Sequence, residues 1–133
     1  LNADRLSILL VEDEPDIRAV MAVALGRDPS ITLVMFSDAP DALQHLDESG
    51  GARFDVALLN IHLPTISGVR LAEQLWNRPD TADLPVIFVT AAVAAKDHHL
   101  YTDIGAIGVL SKPFDPIALP DQVRAILTGS RTP

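Results

Sequence analysis

Five residues carry side chains of the kinds that gather around phosphate and hard cations: Glu12, Asp13, Asn60, Thr90 and Lys112. Each stands at or just after the end of a short apolar run. A carboxylate pair with further oxygen ligands suits Mg²⁺, which uses few protein groups and keeps several waters. A hydroxyl and a lysine ammonium suit the oxygens of a phosphoryl group. What the set lacks is a nucleophile. A carboxylate can take up a phosphoryl group as an acyl phosphate, whereas the amide of Asn60 is neutral. Asp55 does not replace it, because at ~3.3 Å rise per residue it lies roughly 16 Å away, at the other end of the same run. Glu12 and Asp13 are the only other acids placed to accept a phosphoryl group.

The elements that must position these residues are legible as alternation. Short apolar runs occur at Leu6–Val11, Ile31–Phe36, Phe54–Leu59, Pro85–Val89 and Ile107–Leu110. Runs with so little polar alternation suit strands buried on both faces. Between them, apolar residues recur at spacings of three and four. They are Ile17, Val20, Met21, Ala24 and Leu25, then Ala39, Leu43 and Leu46, then Val69, Ala72 and Leu75, then Val123, Ile126 and Leu127. Asp38 and Ser67 are placed to cap helices, and Gly26 to close the first. The alanine-rich stretch Ala91–Ile104 reads as a fourth helix. Gly129–Pro133 reads as a frayed tail, leaving a single domain over 1–133 with its core at about 6–128. A strand–helix alternation repeated five times predicts a parallel α/β sheet with helices on both faces. In such sheets the site forms outside the carboxyl ends of the strands, where the strand order reverses.

The chain has 133 residues, a net charge of −8, 48% hydrophobic and 21% charged residues. That is a globular composition. The negative charge argues against non-specific binding to nucleic acid or anionic membrane, which needs a basic face. The absence of cysteine excludes disulfides and thiolate metal sites. No apolar run approaches a membrane span, and no leader is visible. The expectation is a cytoplasmic protein, and the opening at Leu1 reads as a fragment or as missing first residues.

Four stretches in order resemble the receiver domains of response regulators. They are Leu9-Leu10-Val11-Glu12-Asp13-Glu14, Leu58-Leu59-Asn60-Ile61-His62-Leu63-Pro64 with Gly68, Val89-Thr90-Ala91, and Lys112-Pro113-Phe114. The resemblance covers about Leu6 to Leu127. It implies a flavodoxin-like (βα)5 fold of strand order 2-1-3-4-5 and a role in a two-component phosphorelay. Glu12 and Asp13 would form the acidic Mg²⁺ pocket, with Asp13 the direct ligand, position 60 a ligand, and the backbone carbonyl of His62 another. Thr90 would hydrogen-bond the phosphoryl oxygens, and Lys112 would pair with them. Pro113 would follow a cis peptide bond, and Gly68 and Gly105 match family glycines. A histidine kinase or phosphotransfer protein would be one partner. An output partner would dock on the surface from the fourth helix through the fifth strand to the fifth helix, from Lys96 to Ile104 and Ile107 to Leu110. The first helix is another family docking face.

The chain departs from the family at two positions. Asn60 stands where the family has the acceptor aspartate, and Val109 where it usually has Tyr or Phe. Tyr101 is not a substitute by position. Asn60 is either an engineered change that traps the unphosphorylated receiver or the mark of a natural pseudo-receiver that acts as a phosphorylation-independent interaction module. In both, self-catalysed phosphotransfer is lost. Two unit charges 4 Å apart interact by about 4 kcal/mol at an effective dielectric of 20, so the missing charge should weaken Mg²⁺ binding. Other doubly wound proteins fit less well. A flavodoxin needs a Ser/Thr/Gly phosphate loop where this chain has Glu12-Asp13-Glu14-Pro15. Small phosphatases need a second acid two residues after an aspartate nucleophile. His98-His99 cannot face one way on a helix, so a solvated face is the better reading than a metal pair.

Overall fold

The computed structural model describes residues 5–50, 53–91 and 98–131. The elements alternate as β1 (Leu6–Val11), α1 (Pro15–Gly26), β2 (Ile31–Phe36), α2 (Ala39–Glu48), β3 (Val56–Asn60), α3 (Gly68–Trp76), β4 (Val86–Ala91), α4 (His98–Ile104), β5 (Gly108–Lys112) and α5 (Leu119–Arg131). All strand pairings are parallel, and the order is β2-β1-β3-β4-β5. This is the flavodoxin-like architecture expected from the sequence.

Period-two alternation along each strand sorts the side chains into two cores. Leu9, Val11, Leu59 and Phe88 face α2 and α3, with Leu46, Leu71 and Leu75. Ile8, Leu10, Leu58, Ile87 and Val89 face α1 and α5, with Met21, Leu25, Leu119 and Val123. β1, β3 and β4 are thus apolar on both faces, which is why they read as continuous runs. β2 is an edge strand with Thr32 and Met35 exposed, hence its weaker signal.

Both expected N-caps are present, whereas Gly26 is the last residue of α1 and Arg27, in a right-handed conformation, takes the cap position. Asp38 accepts from the backbone N–H of Ala39, and Ser67 Oγ from that of Arg70. Asp38 also accepts from the Thr65 hydroxyl and backbone N–H, tying the loop after β2 to the loop after β3. Partial desolvation pushes the Asp38 carboxyl up, but the hydrogen bonds from Thr65 and Ala39 outweigh it and hold the carboxyl below its ordinary range.

Some boundaries differ from the sequence reading. Ala91 is not the start of the fourth helix; it is the last residue of β4, held by its register with Lys112. The described part of α4 is His98–Ile104, and the rest of the expected span, with Lys96, lies outside the described residues. The tail expected from Gly129 is instead the end of α5, which runs to Arg131. Buried Leu119, Val123 and Leu127 anchor that helix, and its hydrogen bonds carry it one turn past the last anchor. β5 starts and ends later than expected, so Lys112 is itself a strand residue. β3 begins at Val56; Asp55 lies just before it and accepts from the backbone N–H of Ser7 at 2.7 Å.

Gly68 is the glycine on which the site depends. A Cβ there would lie 2.1 Å from the backbone oxygen of Asn60 and 2.9 Å from its carbonyl carbon, so α3 can seat against β3 only without a side chain. At Gly108 the obstacle is the flexible side chain of Ile126, 2.7 Å from the added atom. Gly68→Ala should therefore cost roughly 1–3 kcal/mol, and Gly108→Ala about 1 kcal/mol or less. Urea midpoints at unchanged slope check this, and equal losses at the two positions would contradict the backbone clash.

Candidate functional site

The carboxyl ends of β1, β3, β4 and β5 meet at one edge of the sheet, beside the point where the chain returns from β2 to place β3 on the other side of β1. β1 delivers Glu12 and Asp13, β3 Asn60, β4 Thr90 and β5 Lys112. Glu12 is fully buried, and Asn60 and Thr90 are each 5% exposed. Asp13 and Lys112 are half-buried and line the mouth.

Asn60 is the hub. Its Nδ2 donates toward Asp13 Oδ1 at 2.8 Å, the backbone oxygen of His62 at 2.9 Å and Glu12 Oε2 at 3.2 Å. Its Oδ1 faces Lys112 Nζ at 3.4 Å. Lys112 Nζ also forms an ion pair with Glu12 Oε1 at 2.6 Å. Apart from that ion pair, Glu12 Oε1 has no partner among the described residues. Glu12 Oε2 accepts from the backbone N–H of Glu14 at 3.1 Å. Burial pushes the Glu12 carboxyl above its ordinary range, and the Lys112 ammonium only partly offsets this.

The structure thus brings Glu12, Asp13, Asn60, the His62 carbonyl and Lys112 into direct contact. Thr90 shares the edge, but no hydrogen bond ties it to Asn60 or Lys112 among the described residues. The Lys112–Pro113 peptide bond is cis, as expected. Val109 is buried, and Tyr101 packs its ring against Phe88, with centroids 5.6 Å apart, on the α3 side of the sheet. Sequence reasoning missed Arg18. From the first turns of α1, its Nη1 donates to the backbone oxygens of Glu12 at 2.8 Å and Asp13 at 3.4 Å. The available signal was a lone cation one turn into the helix that follows the acidic pair.

The oxygen set fits a hard divalent cation. Two carboxylates and a backbone carbonyl already converge within 3.2 Å of a single point, the position of Asn60 Nδ2. Mg²⁺ favours such a sparse oxygen set, completed by water. The amide oxygen of Asn60, which could add a further ligand, is turned away toward Lys112.

A profile of the response regulator receiver domain matches residues 8–124. The chain is 35% identical over 125 residues to the transcriptional regulatory protein CseB of Streptomyces coelicolor, covering 94% of this chain and 50% of that protein. It is 33% identical over 121 residues to the sensory transduction protein RegX3 of Mycobacterium tuberculosis, covering 91% of this chain and 50% of that protein. The chain therefore spans about half the length of the curated relatives it matches. Among solved structures, a response regulator from Chloroflexus aurantiacus superposes with a TM-score of 0.79 at 25% identity, over 93% of this chain and 98% of that one. The chemotaxis response regulator CheY4 of Vibrio cholerae shares the fold, with a TM-score of 0.78 at 23% identity over 92% of this chain and 98% of that one.

Removing Lys112 would leave a buried carboxylate without its ion-pair partner. Breaking a sealed pair costs about 3–5 kcal/mol; with Lys112 at the pocket mouth, Lys112→Met should cost roughly 2–3 kcal/mol at neutral pH. The sign with pH follows from the raised Glu12 carboxyl. A group whose pKa is higher folded than unfolded favours the folded state at low pH, and that contribution is lost as pH rises through the folded value. In the variant, Glu12 should be pushed higher still. The stability gap between parent and variant should therefore shrink on acidification toward pH 4, measured as the difference between their urea curves. A gap that widens in acid would overturn this account.

Proposed function

The chain belongs to the response-regulator receiver family, and we propose that it serves a two-component phosphorelay as a receiver silenced at position 60, docking partners without accepting a phosphoryl group. The observation that carries this reading is Asn60. The residue that joins the acidic pair to Lys112 is a neutral amide, its nitrogen turned to the acids and its oxygen to the ammonium.

The residues around it are of the types that acceptor chemistry would use. In a form with aspartate at position 60, a carboxylate oxygen would attack the phosphorus of a phosphohistidine in line, and the bond from phosphorus to the imidazole nitrogen would break. Lys112 would pair with the transferred group, Thr90 would hydrogen-bond it, and Glu12 and Asp13 would hold the cation with the His62 carbonyl. Bound Mg²⁺ neutralises the charge that builds on the phosphoryl oxygens. With Asn60, Nδ2 is a donor where a nucleophile needs a lone pair, and Oδ1 is a weak amide oxygen.

What remains is recognition. A histidine kinase or phosphotransfer protein and an output partner on the α4–β5–α5 face are the partners this reading assigns. Leu100 and Ile104 present exposed apolar surface on α4, in keeping with a protein contact there. The pseudo-receiver form of this reading draws support from the buried Val109, which leaves no aromatic ring at that position to report on Thr90. The absence of a long apolar helix among the described residues fits a module that does not itself span a membrane by a helix.

The direct test is intact mass after incubation with Mg²⁺ and acetyl phosphate. Asn60→Asp should gain one phosphoryl group and the parent none. Phosphorylation of the parent would overturn the silenced reading and direct attention to Asp13 or Glu12. Failure of both proteins would show that the pocket has lost more than its acceptor.

A further inference from the structure

The direction of the Asn60 amide is fixed by its surroundings. Three oxygen acceptors crowd Nδ2 within 3.2 Å, while an ammonium faces Oδ1 at 3.4 Å. Half a turn about the last side-chain bond would set the amide oxygen against three acceptors and the NH₂ against an ammonium. Every one of those contacts would then be repulsive. The NH₂ group carries only two hydrogens, so even in the observed orientation the three acceptors exceed what it can satisfy. The acid end of the pocket is therefore under-compensated, and a positive charge placed there would reverse the preference of the amide.

We propose that Asn60 is a two-position gate that makes divalent-cation binding and the Lys112 contact at position 60 mutually exclusive. With Nδ2 inward, the amide partly stands in for a cation, and Lys112 holds Oδ1. With Oδ1 inward as a ligand beside Asp13 and the His62 carbonyl, Nδ2 turns outward and meets Lys112 donor to donor. Lys112 then loses its partner at position 60 and retains Glu12 Oε1, its partner at 2.6 Å. A carboxylate at position 60 has no such conflict, because one oxygen can serve the cation and the other the ammonium. The amide converts a site in which position 60 can serve cation and lysine at once into one in which it must choose between them. The inference rests on the receiver reading only for the place of the cation site.

The test needs no phosphoryl transfer. Mg²⁺ is titrated into ¹⁵N-labelled parent protein, and the Asn60 side-chain NH₂ pair is assigned by its absence from Asn60→Asp. Calorimetry then gives Mg²⁺ affinities for the parent, Lys112→Met, Asn60→Asp and the double variant. The NH₂ pair should move on Mg²⁺ binding. Lys112→Met should tighten Mg²⁺ binding in both backgrounds by removing a positive charge. With Asn60 present the tightening should be larger by a further factor of roughly three to ten, the scale of one hydrogen bond. If Mg²⁺ binds while the NH₂ pair stays still, or if Lys112→Met acts equally in both backgrounds, there is no gate. Binding by the two proteins that carry Asn60→Asp, with none by the two that keep Asn60, would likewise overturn it. Phosphorylation of the parent would defeat the silenced reading and leave these outcomes intact.

Discussion

A carboxylate with no exposed surface is the constraint around which this end of the molecule is arranged. Glu12 leaves the end of β1 into a pocket closed by β3 and the loop after it, and burying its charge uncompensated would cost several kcal/mol. The compensation comes from separate elements: the Lys112 ammonium from β5, the Asn60 amide from β3 and the Glu14 backbone N–H at the start of α1. Each partner is useful only if its element is in register. The polar edge and the apolar sheet therefore specify the same arrangement, and the buried charge penalises misplacement of β3 or β5.

The sheet repays this by holding the site on rigid parts. β1, β3 and β4 are buried on both faces, so the polar groups at their ends inherit positions set by two packed cores. Gly68 lets α3 press against the backbone of Asn60, and Arg18 holds the carbonyls of the Glu12–Asp13 turn. Other ties lie farther out. Arg124 pairs with Asp28, and Arg78 with Asp47 and Asp80. The backbone N–H of Ser30 and then Arg124 hold the Asp28 carboxyl low, and Arg78 does the same for Asp80. Depressed carboxyls stabilise the fold above their unfolded values near pH 4, and lose that contribution as pH falls through the folded values. Glu12 acts in the opposite sense. The acid response of the fold is therefore a balance between tied surface carboxyls and one buried carboxyl.

The central strands and the identities of Glu12, Asp13, Asn60, Thr90 and Lys112 were legible because burial on both faces leaves long apolar runs that end abruptly in polar residues. The ends of β4 and β5 were less so. Ala91 suits a helix as readily as a strand, and only its pairing with Lys112 decides. Gly129 resembles a terminator, but the anchors of α5 lie before it and the helix has no reason to stop there. Arg18 was invisible as a site residue because its role depends on the path of two backbone carbonyls. The direction of the Asn60 amide was also beyond the sequence, since nitrogen and oxygen are distinguished only by which acceptors and donors converge on each end.

That direction shows why replacing one oxygen by NH₂ matters more than the loss of a charge. An aspartate at position 60 would present acceptors on both sides, adding its own repulsion to that between Glu12 and Asp13. The amide presents a donor to the acids and an acceptor to the lysine, although its two hydrogens do not serve all three acceptors. The pocket is thereby calmed rather than emptied: the groups that would bind and polarise a phosphoryl group stay in place and remain mutually satisfied as far as two hydrogens allow. The amide thus holds the ends of β1, β3 and β5 to one another through hydrogen bonds that a carboxylate at the same position could not all make.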